Sequence, residues 1–333
     1  MVARPAVGLI LGSHIPPERI RTVARQAEAG GFDELWLAED YFFTGGVSAA
    51  AIALAVTERI RVGLGVVSAL VRHPAVLAME LSTLSRSFPG RVVGGIGLGV
   101  PAWMRQMGLM PRSPLTAVRE CVTSVKTLLS GDALTRSGDV YTFDDVRLTH
   151  PPEVRVPIHV GATGPKMLRL SGEVADGSIL SVGAAVEYVE WARERIAEGQ
   201  ATAGTTEHRV TAFALYSVDT DAERARERMR GPLAFYKAAG GPNALTDAYG
   251  ISDELARILA RGGEEAVAAA MPDRWIEDLA IAGDPAICAD RIRAYRRAGA
   301  DAVALFPMPP DATEQLVEMT ASEVLPLLGR REP

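Results

Sequence analysis

Short apolar runs alternate with amphipathic stretches along most of the chain. Residues 6–11 are apolar or glycine throughout and predict a buried strand. Residues 17–30 place Ile20, Val23, Ala24 and Ala27 at i, i+3, i+4 and i+7, the spacing of one helix face. Pro17 suits a first helical turn, and Gly30-Gly31 its end. The same reading predicts strands at 33–38, 60–67, 92–97, 157–161, 177–181, 209–218 and 301–306. Helices are predicted at 48–56 with Ser48 as N-cap, at 74–87, 115–129, 165–173 and 184–203, onward from Asp221, and at 313–328.

Eight strands, each followed by a helix, predict an α/β fold closed as a (β/α)8 TIM barrel. A doubly wound open sheet is the competing architecture. Its first turn would read Gly-x-Gly-x-x-Gly, whereas this chain has Leu11-Gly12-Ser13-His14-Ile15-Pro16. Such barrels average about 250 residues, which leaves roughly 80 of this chain for insertions. Two segments fit. In 131–156, Tyr141-Thr142-Phe143 and Val146-Arg147-Leu148 flank Asp144-Asp145 like a hairpin, and 231–283 reads as a helical excursion. No linker interrupts the pattern, so residues 1–333 are expected to form one domain.

Composition narrows the function. The chain has 333 residues, 48% hydrophobic and 23% charged, with 35 basic against 41 acidic side chains and a net charge of -6. That balance offers no electrostatic footprint for nucleic acid or an anionic membrane, and no apolar run reaches the length of a bilayer span. Cys121 and Cys288 match no metal or redox spacing and suit a reducing cytoplasm. The N-terminus leads straight into the first strand without a secretory apolar region. A cytoplasmic protein is expected. No metal site is expected either, since no His-x-x-x-His, Cys-x-x-Cys or carboxylate cluster occurs.

Barrel enzymes place their chemistry at the C-terminal ends of the strands, which turns the strand pattern into candidates. The fifth turn, Gly161-Ala162-Thr163-Gly164-Pro165-Lys166, joins a strand to a helix start, where free backbone N–H groups can hold an anion. Lys166 would add charge, and Ser181, one strand over, a hydroxyl. The competing reading is a tight turn that binds nothing. Gly97-Leu98-Gly99 lets a backbone approach something flat, or is simply a turn. Glycines at 63 and 65 weaken a strand interior and predict a bulge, a ligand contact or room for barrel packing. Glu39-Asp40 is a carboxylate pair at a strand end whose neighbours point to opposite faces; one would face the pocket and the other support the loop. His14 sits in the first loop and is a further acid–base candidate. His159 reads as a core histidine and His73 as a helix-start residue. Met104, Met107 and Met110, beside Trp103, follow at helical spacing as a core stripe or an apolar wall.

Four stretches resemble a known family: Gly31-Phe32-Asp33-Glu34-Leu35-Trp36-Leu37-Ala38-Glu39-Asp40; Arg72-His73-Pro74-Ala75-Val76; Val156-Pro157-Ile158-His159-Val160-Gly161-Ala162-Thr163-Gly164-Pro165-Lys166-Met167-Leu168 with Gly172-Glu173-Val174-Ala175-Asp176-Gly177; and Ile281-Ala282-Gly283-Asp284-Pro285. The chain resembles the bacterial luciferase-like barrel superfamily, and most closely its methylenetetrahydromethanopterin reductase-like members that use coenzyme F420. The resemblance implies a cofactor across the barrel mouth, its phosphate on Gly161 to Lys166 with Ser181 nearby. Its ring would rest against Gly65-Val66, at a bulge with a non-proline cis peptide, with Ser68, Gly97 and Gly99 lining the site. Two positions depart from the family pattern: Glu39-Asp40 replaces the frequent Asp-His, and an apolar residue near Ile10 replaces a first-strand glutamate of the pterin reductases. The implied function is hydride transfer between coenzyme F420 and an organic small molecule, with Asp40 as proton donor or acceptor and Glu39 and His14 as further candidates. An FMN-dependent monooxygenase and a non-catalytic deazaflavin- or flavin-binding barrel are the alternatives. A homodimer or larger homo-oligomer is implied by the same resemblance.

Overall fold

The computed structural model describes residues 4–329; the ends of the expected 1–333 span, residues 1–3 and 330–333, lie outside the described residues. In chain order the strands are β1 Ala6–Leu11, β2 Glu34–Leu37, β3 Arg61–Leu64, β4 Val67–Ser68, β5 Val92–Gly97, β6 Leu134–Ser137, β7 Thr142–Val146, β8 Ile158–Ala162, β9 Gly177–Leu180, β10 Arg209–Val218, β11 Ile281–Gly283 and β12 Ala302–Pro307. The α-helices are α1 Ile20–Ala29, α2 Gly46–Ala55, α3 Pro74–Ser87, α4 Pro101–Gln106, α5 Pro114–Leu129, α6 Pro165–Val174, α7 Val186–Ala203, α8 Ala222–Gly240, α9 Ala244–Asp247, α10 Ser252–Ala270, α11 Asp273–Leu279, α12 Pro285–Arg297, α13 Thr313–Met319 and α14 Leu325–Leu328. Parallel pairing runs β1-β2-β3-β5-β8-β9-β10-β12 and returns from β12 to β1, which closes the expected eight-stranded barrel.

The departures are local, and each has a cause. The strand expected at 60–67 is split in two: β3 ends at Leu64, the Gly65–Val66 peptide is cis, and β4 resumes at Val67. The helix expected at 48–56 begins at Gly46, and Ser48 does not cap it. Its first N–H is taken instead by the Glu39 carboxylate, Gly46 N to Oε2 at 2.8 Å. The excursion at 231–283 contains helices, with α10 interrupted at Gly262 and Gly263, and also ends in β11, which pairs with the far end of β10. A hairpin does occur in 131–156, but one strand earlier than expected: β6 pairs with β7, the turn lies at 138–141, and Asp144-Asp145 fall inside β7 instead of at the turn. The Tyr141 hydroxyl of that turn donates to the Ala69 carbonyl, bracing the segment after β4.

Two bodies of apolar side chains hold this together. One fills the layer between the barrel and its helices, with Val23, Leu77, Val122 and Ile196 among its fully enclosed members. The other fills the barrel interior, through Ile10, Trp36, Ile179 and Phe213. It continues upward into Met229, Leu233, Leu255 and Trp275 of α8, α10 and α11, so the excursion packs onto the barrel as part of its core.

Helices α6 and α7 meet along glycines. A Cβ at Gly172 would collide with the Ile196 carbonyl oxygen, and one at Gly199 with the Arg169 carbonyl oxygen. Both obstacles are backbone and cannot rotate away. Gly199→Ala should therefore cost about 1–3 kcal/mol, the usual penalty for overpacking. The check is the urea midpoint, which should fall at unchanged slope; a variant as stable as the parent would remove the close-contact account.

Candidate active site at the barrel mouth

The C-terminal strand ends bring the candidates to one face of the barrel. After β1, Gly12 leaves room for two rings, since a Cβ there would lie 2.6 Å from Phe306 Cε2 and would also strike His14. His14 stacks on Phe306, with centroids 5.7 Å apart and planes at 27°. Burial lowers the His14 pKa most, the Asp40 charge works against it, and Arg19 adds to the lowering, so the imidazole is neutral at pH 7. Tyr236 of α8 meets the same phenyl ring edge-on at 6.2 Å. Its phenol pKa is raised, by burial first and then by the Asp40 charge. Asp40, half-buried, accepts a 2.5 Å hydrogen bond from Ser13 Oγ on Oδ2. Among the described residues Oδ1 takes no side-chain or backbone hydrogen bond.

Glu39 faces the other way, as alternation along a strand end requires. Its Oε1 accepts from Tyr41 Oη at 2.8 Å and Arg72 Nη1 at 2.6 Å, and its Oε2 from Gly46 N and Arg72 Nη2, both at 2.8 Å. A carboxylate has about four acceptor sites, and all four are in use. Burial works to raise this pKa, but the Arg72 hydrogen bonds and charge, with Tyr41 and Gly46, outweigh it and hold the pKa below the ordinary value. Glu39 thus ties the loop after β2 to the start of α2 and has no free position for a substrate proton. That corrects the expectation of an acid–base role.

The floor of the mouth is built around Val66. A Cβ at Gly97 would come 2.7 Å from Val66 Cγ2, and one at Gly161 would come 3.1 Å from Val66 Cγ1. These two glycines make room for the valine. A Cβ at Gly65 would press on Phe213 at 2.8 Å. Gly99 has φ +91, a conformation that favours glycine. Ser68 is 1% exposed, and its hydroxyl donates to the Leu98 carbonyl at 2.7 Å, so it supports the floor from below and does not line it as expected. The methionine stripe divides: Met104 is enclosed under Gly99, and Met110 is 46% exposed.

On the adjacent strand, Ala162 ends β8 and the chain turns through Thr163 and Gly164 into α6. The Thr163 carbonyl is held by the Tyr188 hydroxyl at 2.7 Å. Gly164 occupies the N-cap position with no side-chain cap, Pro165 fills the first turn, and the space where a Gly164 Cβ would stand is open. The N–H groups of Lys166 and Met167 are therefore left to a ligand or solvent. The Lys166 and Ser181 side chains are exposed. His73 caps α3, with Nδ1 accepting from Ala75 N at 3.3 Å. His159 is buried among the barrel residues, its pKa pushed down to about 3 by burial and then by Arg209. The sequence reading did not assign roles to Arg72, Ser13, Tyr236 or Phe306. Arg72 stood inside a motif, but the partner that defines it lies 33 residues away.

Glu39 generates a pH prediction. A carboxyl whose folded pKa lies below its unfolded value adds stability above the unfolded pKa, and that stability is lost as pH falls through the folded one. Glu39→Gln should lose about 1.5–3 kcal/mol at pH 7, the range for a hydrogen bond to a charged group. Its stability should fall less steeply than the parent's below about pH 4.5, the ordinary glutamate value. Denaturation curves across pH decide this, and parallel curves would refute it.

A family model described as luciferase-like monooxygenase matches residues 1–302. The 5,10-methylenetetrahydromethanopterin reductase of Archaeoglobus fulgidus is 31% identical over 313 residues, covering 91% of this chain and 93% of that one. The F420-dependent glucose-6-phosphate dehydrogenase of Microbacterium testaceum is 30% identical, covering 92% and 91%. The solved structure of the coenzyme F420-dependent tetrahydromethanopterin reductase from Methanopyrus kandleri superposes with a TM-score of 0.85 at 26% identity, covering 98% of this chain and 100% of that one. With a family model spanning nearly its whole length and relatives aligned end to end, this chain belongs to the luciferase-like monooxygenase family.

Proposed function

We propose that the protein is a coenzyme F420-dependent oxidoreductase acting on an organic small molecule. The observation that carries this reading is the uncapped, open start of α6 at the same barrel mouth as the Ser13–Asp40 pair, in a chain that aligns end to end with F420-dependent enzymes. The residues present fit the cofactor. The free N–H groups of Lys166 and Met167 and the open space at Gly164 suit a phosphate, with Gly161, Ala162, Thr163, Pro165 and Ser181 around it. Val66, set between Gly97 and Gly161, gives the ring a rigid apolar floor.

When bound, F420 supplies a hydride-transferring ring with carbon at position 5, which activates oxygen poorly. The chain does the rest. Ser13 holds one oxygen of Asp40 and leaves Oδ1 to give or take the substrate proton. Neutral His14 and Phe306 form a flat apolar wall beside it. Glu39, through Arg72 and Gly46, fixes the loop on which Asp40 stands. A cytoplasmic setting and a homodimeric or larger assembly complete the proposal.

Two measurements test it. Absorbance titrations should show F420 binding far more tightly than FMN; tighter FMN binding with oxygen-dependent turnover would favour the monooxygenase instead. Asp40→Asn should slow turnover by about 10²-fold or more, as for a lost acid–base group, with F420 affinity within about twofold, a change of about 0.4 kcal/mol. Turnover at the parent rate would make Asp40 a plain loop carboxylate.

A further inference from the structure

Lys237 is a buried cation without a counterion. It lies on α8, beside Tyr236, and is only 4% exposed. Among the described residues its ammonium makes no hydrogen bond and no ion pair, and burial alone pushes its pKa down to about 8, with no neighbouring charge contributing. The other deeply placed cations of the barrel differ. Arg72 has Glu39, and Arg61 and Arg209 share Glu34. An ammonium removed from water without a partner is costly. The site is not sealed: Trp275 Nε1 is fully enclosed without a partner, but Lys237 Nζ is not among such atoms.

The ammonium points at a mouth turn. Nζ lies 3.2 Å from where a Cβ would stand on Gly183, whose φ is +88. Gly183 belongs to the turn between β9 and α7, closed by Ala184 N donating to the Ser181 carbonyl at 2.9 Å. The Ser181 side chain is exposed in that turn. Helix α7 is 18 residues long and starts immediately afterwards with no side-chain cap. A lone ammonium, a glycine that lets it approach the backbone, a nearby hydroxyl and an uncapped helix start together make a complementary environment for an oxyanion.

We propose that Lys237 and the Ser181–Ala185 turn bind an oxyanion, a phosphate or carboxylate, carried by the organic substrate. This rests on the oxidoreductase reading and gives its substrate a chemical class. The cofactor's own phosphate has its seat at the next turn, so the two sources must be separated by experiment.

The probe is inorganic phosphate, titrated into F420-saturated protein and followed by thermal melting. Phosphate should raise the parent Tm saturably, and Lys237→Met should weaken that response at least tenfold. F420 affinity, read by absorbance, should stay within twofold in the variant. Lys237→Met should also melt no lower than the parent without phosphate, because a thioether of similar length suits an apolar site. Lys237→Gln repeats the comparison if the methionine variant folds poorly. An equal phosphate response in parent and neutral variants would overturn the proposal, as would an absent response in the parent. A parallel loss of F420 affinity would overturn it too, by assigning the ammonium to the cofactor. If the parent binds no F420, the oxidoreductase reading fails separately, and a Lys237-dependent phosphate response of the cofactor-free protein then still supports the anion site.

Discussion

The Trp36 indole sets the interior of this barrel. It projects inward from β2, where a Cβ on Gly8 would lie 3.1 Å from its Cδ1, one on Gly65 would lie 3.3 Å from its Cε3, and one on Gly63 would run into the ring. Phe213 meets it edge-on at 5.5 Å from the opposite wall. A side chain that large in a barrel of eight strands can be seated only if its neighbours give up theirs. The glycines of β1 and β3 are the result. Beyond them β3 breaks, Val66 turns into the gap left by Gly97 and Gly161, and the floor of the mouth takes its shape. The site's geometry is thus downstream of one packing decision in the core.

The same strand is pinned at both ends by carboxylates. Glu34, at its start, accepts from Trp36 Nε1 at 3.1 Å and pairs with Arg61 at 2.6 Å and Arg209 at 2.5 Å, so β2 is tied to both β3 and β10. Glu39, just past its end, ties the mouth loop to α2 and Arg72. Buried ion pairs add little net stability, because desolvation offsets much of their attraction. Their use here is positional. They fix the height and rotation of the strand that carries the indole, and so of Asp40, the next residue out.

Much of this was legible in the sequence, and the remainder was illegible for physical reasons. Each barrel strand was visible as an apolar run, because a parallel strand buried on both faces has no polar side. The turn after β8 was visible because Gly164 and Pro165 punctuate it. The glycines at 63 and 65 were recognised as odd, but which large side chain they accommodate depends on a residue more than twenty positions away. Ser48 looked like a cap because caps are local, whereas the true acceptor, Glu39, arrives from the preceding strand end. Tyr236 and Lys237 looked like ordinary positions of a helix. Nothing in their own segment says that α8 lies across the mouth, which follows only from its packing on Leu215 and Phe306.

That packing has a consequence for how such a protein diversifies. Strands β10 and β12 pair directly with each other from Thr211↔Ala302 to Tyr216↔Pro307, so the barrel wall closes without the long segment between them. The segment runs from the C-terminal end of β10 back to the N-terminal end of β12; on the way it packs Met229, Leu233 and Trp275 onto the barrel core and brings Tyr236 and Lys237 to the mouth, but it supplies no strand between β10 and β12. The side chains this segment turns toward the mouth can therefore change while the β10–β12 wall and the α6 turn keep their shape.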